Sequence, residues 1–555
     1  MHDPVTKLNA APLQSQAAPS PALEGRGRAT LALTERGLTR RGALAAAFVP
    51  LAGAAFLPFG GKAEAQQVDF ATLLRSVLGE GKTFDANLVI ELARQLARRP
   101  YLPPAADLPE PLRNLTFEQY QTIHINRKDR VWEGENRGFV IEPLHRGFVY
   151  QSPLTLFVVE DGSIRRIAYE VSRFDFGNIP PPAQADLDFS GFKILFRDRG
   201  SEDRREVASF QGASFFRGLA KGQIPGVVAR GLTLRPAEAR GEEIPLFRAF
   251  WIERPSALVD EITAHALLDS DSVCGAYRFT IRPRDETIID VEATIFARSP
   301  LDHVGYAGMA GMYLLGPASH RIDDDVRPAV HDANGLQLHT GQGEWIWRPL
   351  TNPEALQISV FVDQNPKGFG LLQRYRDYAS FQDDDKGFER RPSLWVEPIG
   401  DWGDGAVQLL EIPSTNETNA NILSYWRPKA QIPANGQANF AFRQYWTWSV
   451  PDHPEEAIVL MTRTGRGSTG ARRRFLVDFS SPRFTDQAAI AEISAVASAA
   501  KGTISGVRLI PHFDRKVVRA SFELDPGGEA LCELRLVLME SGKAASETWL
   551  YRWTS

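Results

Sequence analysis

The sequence predicts an all-β protein, with a large N-terminal antiparallel β-sandwich, a small immunoglobulin-like C-terminal sandwich and short helices only near the start of the folded part. Three observations carry this. Apolar residues recur at every second position from about Leu115 onward, as half-buried strands require. Turn clusters, drawn from 37 prolines and 45 glycines, separate those stretches. A chain of 555 residues also exceeds what one ordinary core encloses, so two folded domains are expected.

In chain order, the residues to about Pro21 are rich in Ala, Pro, Ser and Gln and read as disordered. Thr39-Arg40-Arg41-Gly42-Ala43-Leu44 opens an uncharged run through Gly61, and Ala63-Glu64-Ala65 supplies an A-x-A cleavage signal before Gln66. This is the pattern of a twin-arginine export signal, and a run so rich in Ala, Gly and Pro makes a poor permanent membrane span. A cleaved leader over 1–65 and a mature protein in a bacterial periplasm follow as expectations.

Asp69 and Asp85 are placed to cap two helices, the second with Leu88, Val89, Leu92 and Leu96 on one face, and we expect both against the edge of a sheet. Alternation then begins. Phe192/Ile194/Phe196, Tyr277/Phe279/Ile281 and Ile289/Val291/Ala293/Ile295 read as strands of the large sandwich, over 66–450, closing with Phe440, Phe442, Gln444, Trp446 and Trp448 on one face. Pro451-Asp452-His453-Pro454 reads as a linker. Over 455–555, strands at 475–479, 517–524, 532–538 and 549–553 suggest the immunoglobulin-like sandwich, without that fold's Cys…Trp…Cys signature.

A net charge of -5 and the lack of a basic stripe argue against nucleic-acid binding. Cys274 and Cys532 are too far apart in sequence to suggest a disulfide framework or metal cluster. There is no Walker loop, HExxH, CxxC or GxSxG, and no cofactor is expected.

Three features are candidates for chemistry. The stretch 326–349, VRPAVHDANGLQLHTGQGEWIWRP, sets His331 beside Asp332, a turn signal at Asn334-Gly335, and Trp345, Trp347 and Arg348 after a short strand. Trp345, Trp347, Trp395, Trp402 and Trp426 fall within a hundred residues, several flanked by Arg, Glu or Asp, which suggests an aromatic-lined groove suited to sugar faces. The stretch 411–426, EIPSTNETNANILSYW, places a polar loop between two apolar strands.

Read together, GxxFFR at 212–217, FWIERP at 250–255, RPxxHDxNG at 327–335, GEWIWRPL at 343–350, GFGLLQR at 368–374, RPSLWVEP at 391–398 and ETNxNI at 417–422 make the chain resemble the periplasmic glucan biosynthesis protein G/D family (OpgG/OpgD, MdoG/MdoD). The twin-arginine leader leans toward the D type. The resemblance implies a galactose-mutarotase-like large sandwich, a role in making osmoregulated periplasmic glucans, and β-1,2-linked glucan as partner. An inner-membrane glucan glucosyltransferase and a second copy of the chain are further partner expectations.

Family members are similar to inverting glycoside hydrolases, with one aspartate of the HD pair as base and a second, in the ETNDN loop, as acid. Inversion needs both, one to activate water and one to protonate the leaving oxygen. Asp332 stands at the base position, but the acid position is Ala420, and a methyl group delivers no proton. Ala329, Phe388 and Pro225 also stand where the family usually has Glu, Tyr and Tyr. The expectation is therefore a glucan-binding factor without efficient hydrolysis, its groove lined by His331, Trp345, Trp347, Arg348, Phe388, Trp395, Trp402, Asn421 and Trp426. The alternatives are a hydrolase or transglycosylase with a substitute acid, Glu417 first, with Asp383, Asp384, Asp385 and Glu389 in another loop, and a scaffold for the membrane glucosyltransferase.

Overall fold

Period-two alternation becomes two large sheets packed face to face. The structure, a computed structural model, describes residues 70–555 apart from 184–185, 319–323 and 452–453. The proposed leader, the expected cap Asp69 and Asp452-His453 of the linker signal lie outside the described residues. One sheet has ten strands and runs from Phe139–Leu144 to Gln357–Gln364; the other has fifteen and includes Leu246–Glu253, Ile262–Asp269, Val273–Pro283, Thr287–Ala297 and Gln437–Thr447 as antiparallel neighbours.

Their inner faces meet through aromatic side chains that the alternation selects. Phe192, Phe210 and Phe216 from the ten-stranded sheet meet Phe250 and Phe279 from the other, with ring centroids of 5.0 Å for Phe192–Phe250 and 4.9 Å for Phe210–Phe279. Each ring is buried, and burying one stabilises the fold by roughly 1.5–3 kcal/mol. Arg278, between Tyr277 and Phe279, points outward to Glu292 on the next strand, 3.2 Å away.

Helices α1 (Phe70–Leu78) and α2 (Ala86–Ala97) form where their apolar spacing places them, and Asp85 caps α2 by accepting from the Asn87 N–H at 2.9 Å. Their position corrects the expectation of an edge. Leu74, Leu78, Val89 and Leu92 pack on Phe157, Trp251, Leu267, Cys274 and Phe296, the outer face of the fifteen-stranded sheet. Those strands carry apolar residues on both faces, so the outer face needs a cover. The Trp251 indole N–H donates to the Leu78 carbonyl at 3.1 Å.

Toward the C-terminus, Ile458–Arg466, Arg473–Ser480, Thr503–His512 and Val517–Asp525 make a four-stranded sheet. It faces Leu531–Glu540 and Thr548–Thr554 across a core of Phe475, Val477, Phe522, Trp549 and Tyr551. Thr548–Thr554 also pairs parallel with Trp345–Pro349, Ile346 opposite Thr548 and Trp347 opposite Trp549, so the fifteen-stranded sheet runs on into this region. Trp347, Leu372 and Trp395 share its core.

Candidate functional site

The HD pair sits where two short strands cross the end of the ten-stranded sheet. Val330–His331 pairs antiparallel with Tyr313–Leu315, and the chain then turns so that Asp332 returns to the preceding peptide. The Asp332 N–H donates to the Met312 carbonyl and the Met312 N–H donates to Asp332 Oδ2, both at 2.8 Å. Arg391 forms an ion pair with the other carboxylate oxygen. Both oxygens of this buried carboxylate are therefore held by donors.

Arg391 is itself fixed. Its guanidinium lies over the Phe388 ring, 4.1 Å from the centroid, and its stem rests on Gly226, where a Cβ would come within 2.9 Å of the Arg391 Cβ. Arg327 also lies over the Phe388 ring, 6.0 Å from its centroid, and binds three carboxylates: Asp325 at 2.7 Å, Asp383 at 2.8 Å and Glu417 at 2.8 Å. The Asp325 hydrogen bond and the other two acids hold the Arg327 guanidinium well above its ordinary proton affinity. One arginine thus ties the 325–327 segment, the 377–391 loop and the 412–421 loop together.

The 412–421 loop ends on Asn421, whose Oδ1 accepts from the Tyr313 N–H at 2.8 Å and whose Nδ2 donates to the Tyr313 carbonyl at 2.9 Å. Asp332 and Asn421 therefore grip neighbouring residues, Met312 and Tyr313. Ala420, adjacent to Asn421, is half-buried against Ala310, Leu410, Leu423 and Tyr425. Among the described residues no group of three or more His, Cys, Asp or Glu side chains is arranged to hold a metal ion.

Residues 84–553 match the family model described as "Periplasmic glucan biosynthesis protein, MdoG". The chain belongs to the MdoG family. Similar relatives include Glucans biosynthesis protein G of Rhodopseudomonas palustris, 43% identical over 473 residues, covering 85% of this chain and 93% of the relative. Another is Glucans biosynthesis protein G 1 of Shewanella oneidensis, 42% identical over 478 residues, covering 85% and 87%. Solved structures superpose weakly: a GH36 alpha-galactosidase, AgaB, from Geobacillus stearothermophilus at TM-score 0.23 and 9% identity, covering 46% of this chain and 38% of that one, and a galactose mutarotase related enzyme from Lactobacillus acidophilus at 0.20 and 9%, covering 44% and 98%.

In this MdoG-family chain, the nine expected groove residues separate into three places. His331 and Phe388 stand beside Asp332, but both are buried. His331 stacks on Tyr313 with centroids 5.1 Å apart, takes an edge contact from Phe381, and has Nδ1 3.2 Å from the Gln373 amide. Burial, aided by the Arg391 charge, pushes its pKa down to about 3, so it is a neutral packing residue. Asn421 is buried as the clamp on Tyr313.

Trp345, Trp347, Arg348 and Trp395 lie by the C-terminal core. Trp347 and Trp395 are buried, Trp347 beneath the Arg374 guanidinium at 3.5 Å. Arg374 meets Glu547, which also accepts from the Gln337 amide at 2.6 Å and the Val459 N–H at 2.8 Å. Arg348 is buried in an ion pair with Glu411 at 3.1 Å. Trp345 is half-buried, stacked on His339 at 3.9 Å.

Trp402 and Trp426 belong to the main sandwich core, Trp426 fully buried and Trp402 half-buried with its indole N–H on the Ala441 carbonyl. Trp347, Trp395, Trp426 and Arg348 thus cannot line an open groove. Their flanking charges, which made them look exposed, are paired internally or turned to the opposite face of the strand.

Sequence reasoning missed Arg391 and Arg327. Both stand in quoted motifs, yet their partners lie 59 and up to 90 positions away. In the acidic loop Asp383 pairs with Arg327, and Glu389 has a buried Oε2 without a hydrogen-bond partner.

Proposed function

We propose that this chain is a periplasmic factor in the biosynthesis of osmoregulated glucans, holding the β-1,2-linked backbone across the Asp332 site without efficient hydrolysis. Membership of the MdoG family supports the process, and relatives named glucans biosynthesis protein G support it further. The D-type lean and the periplasmic location rest on the leader signal. No helix among the described residues is long and apolar enough to cross a membrane.

The observation that supports the loss of hydrolysis is the methyl group at position 420, where the family resemblance expects the acid, next to Asn421, whose side chain grips Tyr313 as Asp332 grips Met312. Against Glu417 as a substitute acid stands its ion pair with Arg327, which favours the charged carboxylate over the proton-bearing form. Sugar contacts fall to groups at the exposed rim of these loops and to the half-buried Trp345 and Trp402, since the other tryptophans are enclosed.

A second reading, a hydrolase or transglycosylase with Glu389 as acid, is favoured by that residue's unpartnered buried oxygen. The test is incubation of the mature protein with linear β-1,2-glucan, reading new reducing ends. Binding without cleavage supports the binding factor. Cleavage abolished by Glu389→Gln supports the enzyme, and absence of binding rejects both.

A further inference from the structure

One tryptophan escapes enclosure. Trp446 and Trp448 share a face of the sequence alternation, but the strand Gln437–Thr447 ends between them. Trp446 is fully buried, whereas Trp448, at 38% exposure, is the most exposed tryptophan among the described residues. A lone exposed apolar ring is ordinary on a protein surface. This one differs in how it is held and in what lies beside it.

The Trp448 indole N–H donates to the Lys221 carbonyl at 3.0 Å, which fixes the plane of the ring. The Arg376 guanidinium lies over that ring, 5.2 Å from the centroid, and donates to the Trp448 carbonyl at 3.0 Å. Arg376 donates as well to the Glu389 carbonyl at 3.1 Å, to the Arg391 carbonyl, and to Ser393 Oγ at 3.0 Å. Arg391 is the residue that pairs with Asp332. A single half-buried arginine therefore fastens both Trp448 and the arginine on Asp332, so the ring keeps a set place relative to that site without being buried.

A second connection runs through residues 221–226. Gly222, at φ +80°, passes the edge of the indole, where an added Cβ would lie 3.8 Å from Trp448 Cζ2. Its carbonyl accepts from Arg390 Nε at 3.2 Å and Nη2 at 3.0 Å. Four residues on, Gly226 rests on the stem of Arg391. Lys221, Gly222, Pro225, Arg390 and Trp448 are all exposed, and neither Lys221 nor Arg390 has an acidic partner among the described residues.

An indole held rigid beside cationic N–H donors suits the C–H face of a pyranose ring and the hydroxyls at its edge. Rigid placement also spares the entropy of ordering the side chain on binding. We propose that Trp448, with Lys221 and Arg390, is a platform for one glucosyl unit of a neutral glucan at the rim of the Asp332 site. The ligand class rests on the proposed function; the exposure and bracing of the ring do not.

The test titrates the mature protein with linear β-1,2-glucan, reading tryptophan emission and calorimetry together. Since the other tryptophans are buried or half-buried, glucan should shield Trp448 from acrylamide and move the emission to shorter wavelength. Trp448→Ala should weaken glucan binding about tenfold and abolish the shielding, while Trp448→Phe, which keeps a ring, should recover most of the affinity. Shielding in the parent is read without any variant, so a poorly folding Trp448→Ala protein does not protect the proposal. Glucan that binds the parent without shielding a tryptophan, or that binds Trp448→Ala as tightly, overturns the platform and leaves the proposed function standing. A parent that binds no glucan removes both. Affinity that collapses between about 0.02 and 0.3 M salt assigns the patch to an anion held by Lys221 and Arg390, and overturns the neutral-sugar platform.

Discussion

Asp332 and Asn421 hold consecutive residues of one segment, each accepting a backbone N–H at 2.8 Å, from Met312 and Tyr313 respectively. Two loops distant in sequence are thereby set in register with each other. Asn421→Ala should leave the buried Tyr313 N–H and carbonyl short of partners and cost about 2–4 kcal/mol, read as a lower urea midpoint with little change in the slope.

Because the resemblance puts the missing acid at position 420, next to the Asn421 clamp, Ala420→Asp should restore a carboxyl there. Reducing ends should then appear from linear β-1,2-glucan, and Ala420→Asp/Asp332→Asn should be silent. An inactive Ala420→Asp protein that still binds glucan would mean the Arg391 pair keeps Asp332 from serving as a base.

Glu547 is fully buried and accepts from Gln337, Arg374 and Val459. Glu547→Ala strands the Arg374 charge over Trp347, and removing one partner of a buried pair costs about 3–5 kcal/mol. Thermal unfolding should show a drop of that size. Replacing an exposed acid such as Glu529, salt-bridged to Lys501 at the surface, should leave the transition nearly unmoved.

His331 and His145 are buried, with pKa values pushed down by burial to about 3 and about 4. In the unfolded chain both titrate near 6.5. Between about pH 6.5 and 4 the unfolded state binds protons that the native state refuses, so stability falls as pH falls through this window. Each histidine contributes up to about 1.4 kcal/mol per pH unit. The denaturant midpoint followed from pH 7 to 4.5 should decline less steeply in His331→Gln than in the parent.

Strand positions were legible in the sequence because the alternation of Tyr277/Phe279/Ile281 or Phe440/Phe442 reports a local geometry. The Asp85 cap of α2 was legible for the same reason. What lies over a given face is not local. Residues of α2 look alike whether they cover a sheet's edge or its face, and only the apolar outer residues of neighbouring strands, such as Trp251 and Cys274, decide it.

The tryptophans failed similarly. Arg348 beside Trp347 reads as solvent exposure until Glu411, 63 positions later, is seen to neutralise it inside. Asp332 was legible through the family motif, while the arginine gripping it was not, since an ion pair between distant loops leaves no periodic trace.

The parallel pairing of Ile346 with Thr548 and Trp347 with Trp549 has a consequence for biogenesis. A strand made early cannot gain this neighbour until roughly two hundred further residues have left the ribosome. Until then its edge stays open to solvent and to other unfinished chains, the situation in which strands pair wrongly between molecules. Assembly of this protein is therefore slow to commit, and a nascent chain stalled before residue 548 should be a preferred client for chaperones that shield unpaired strand edges.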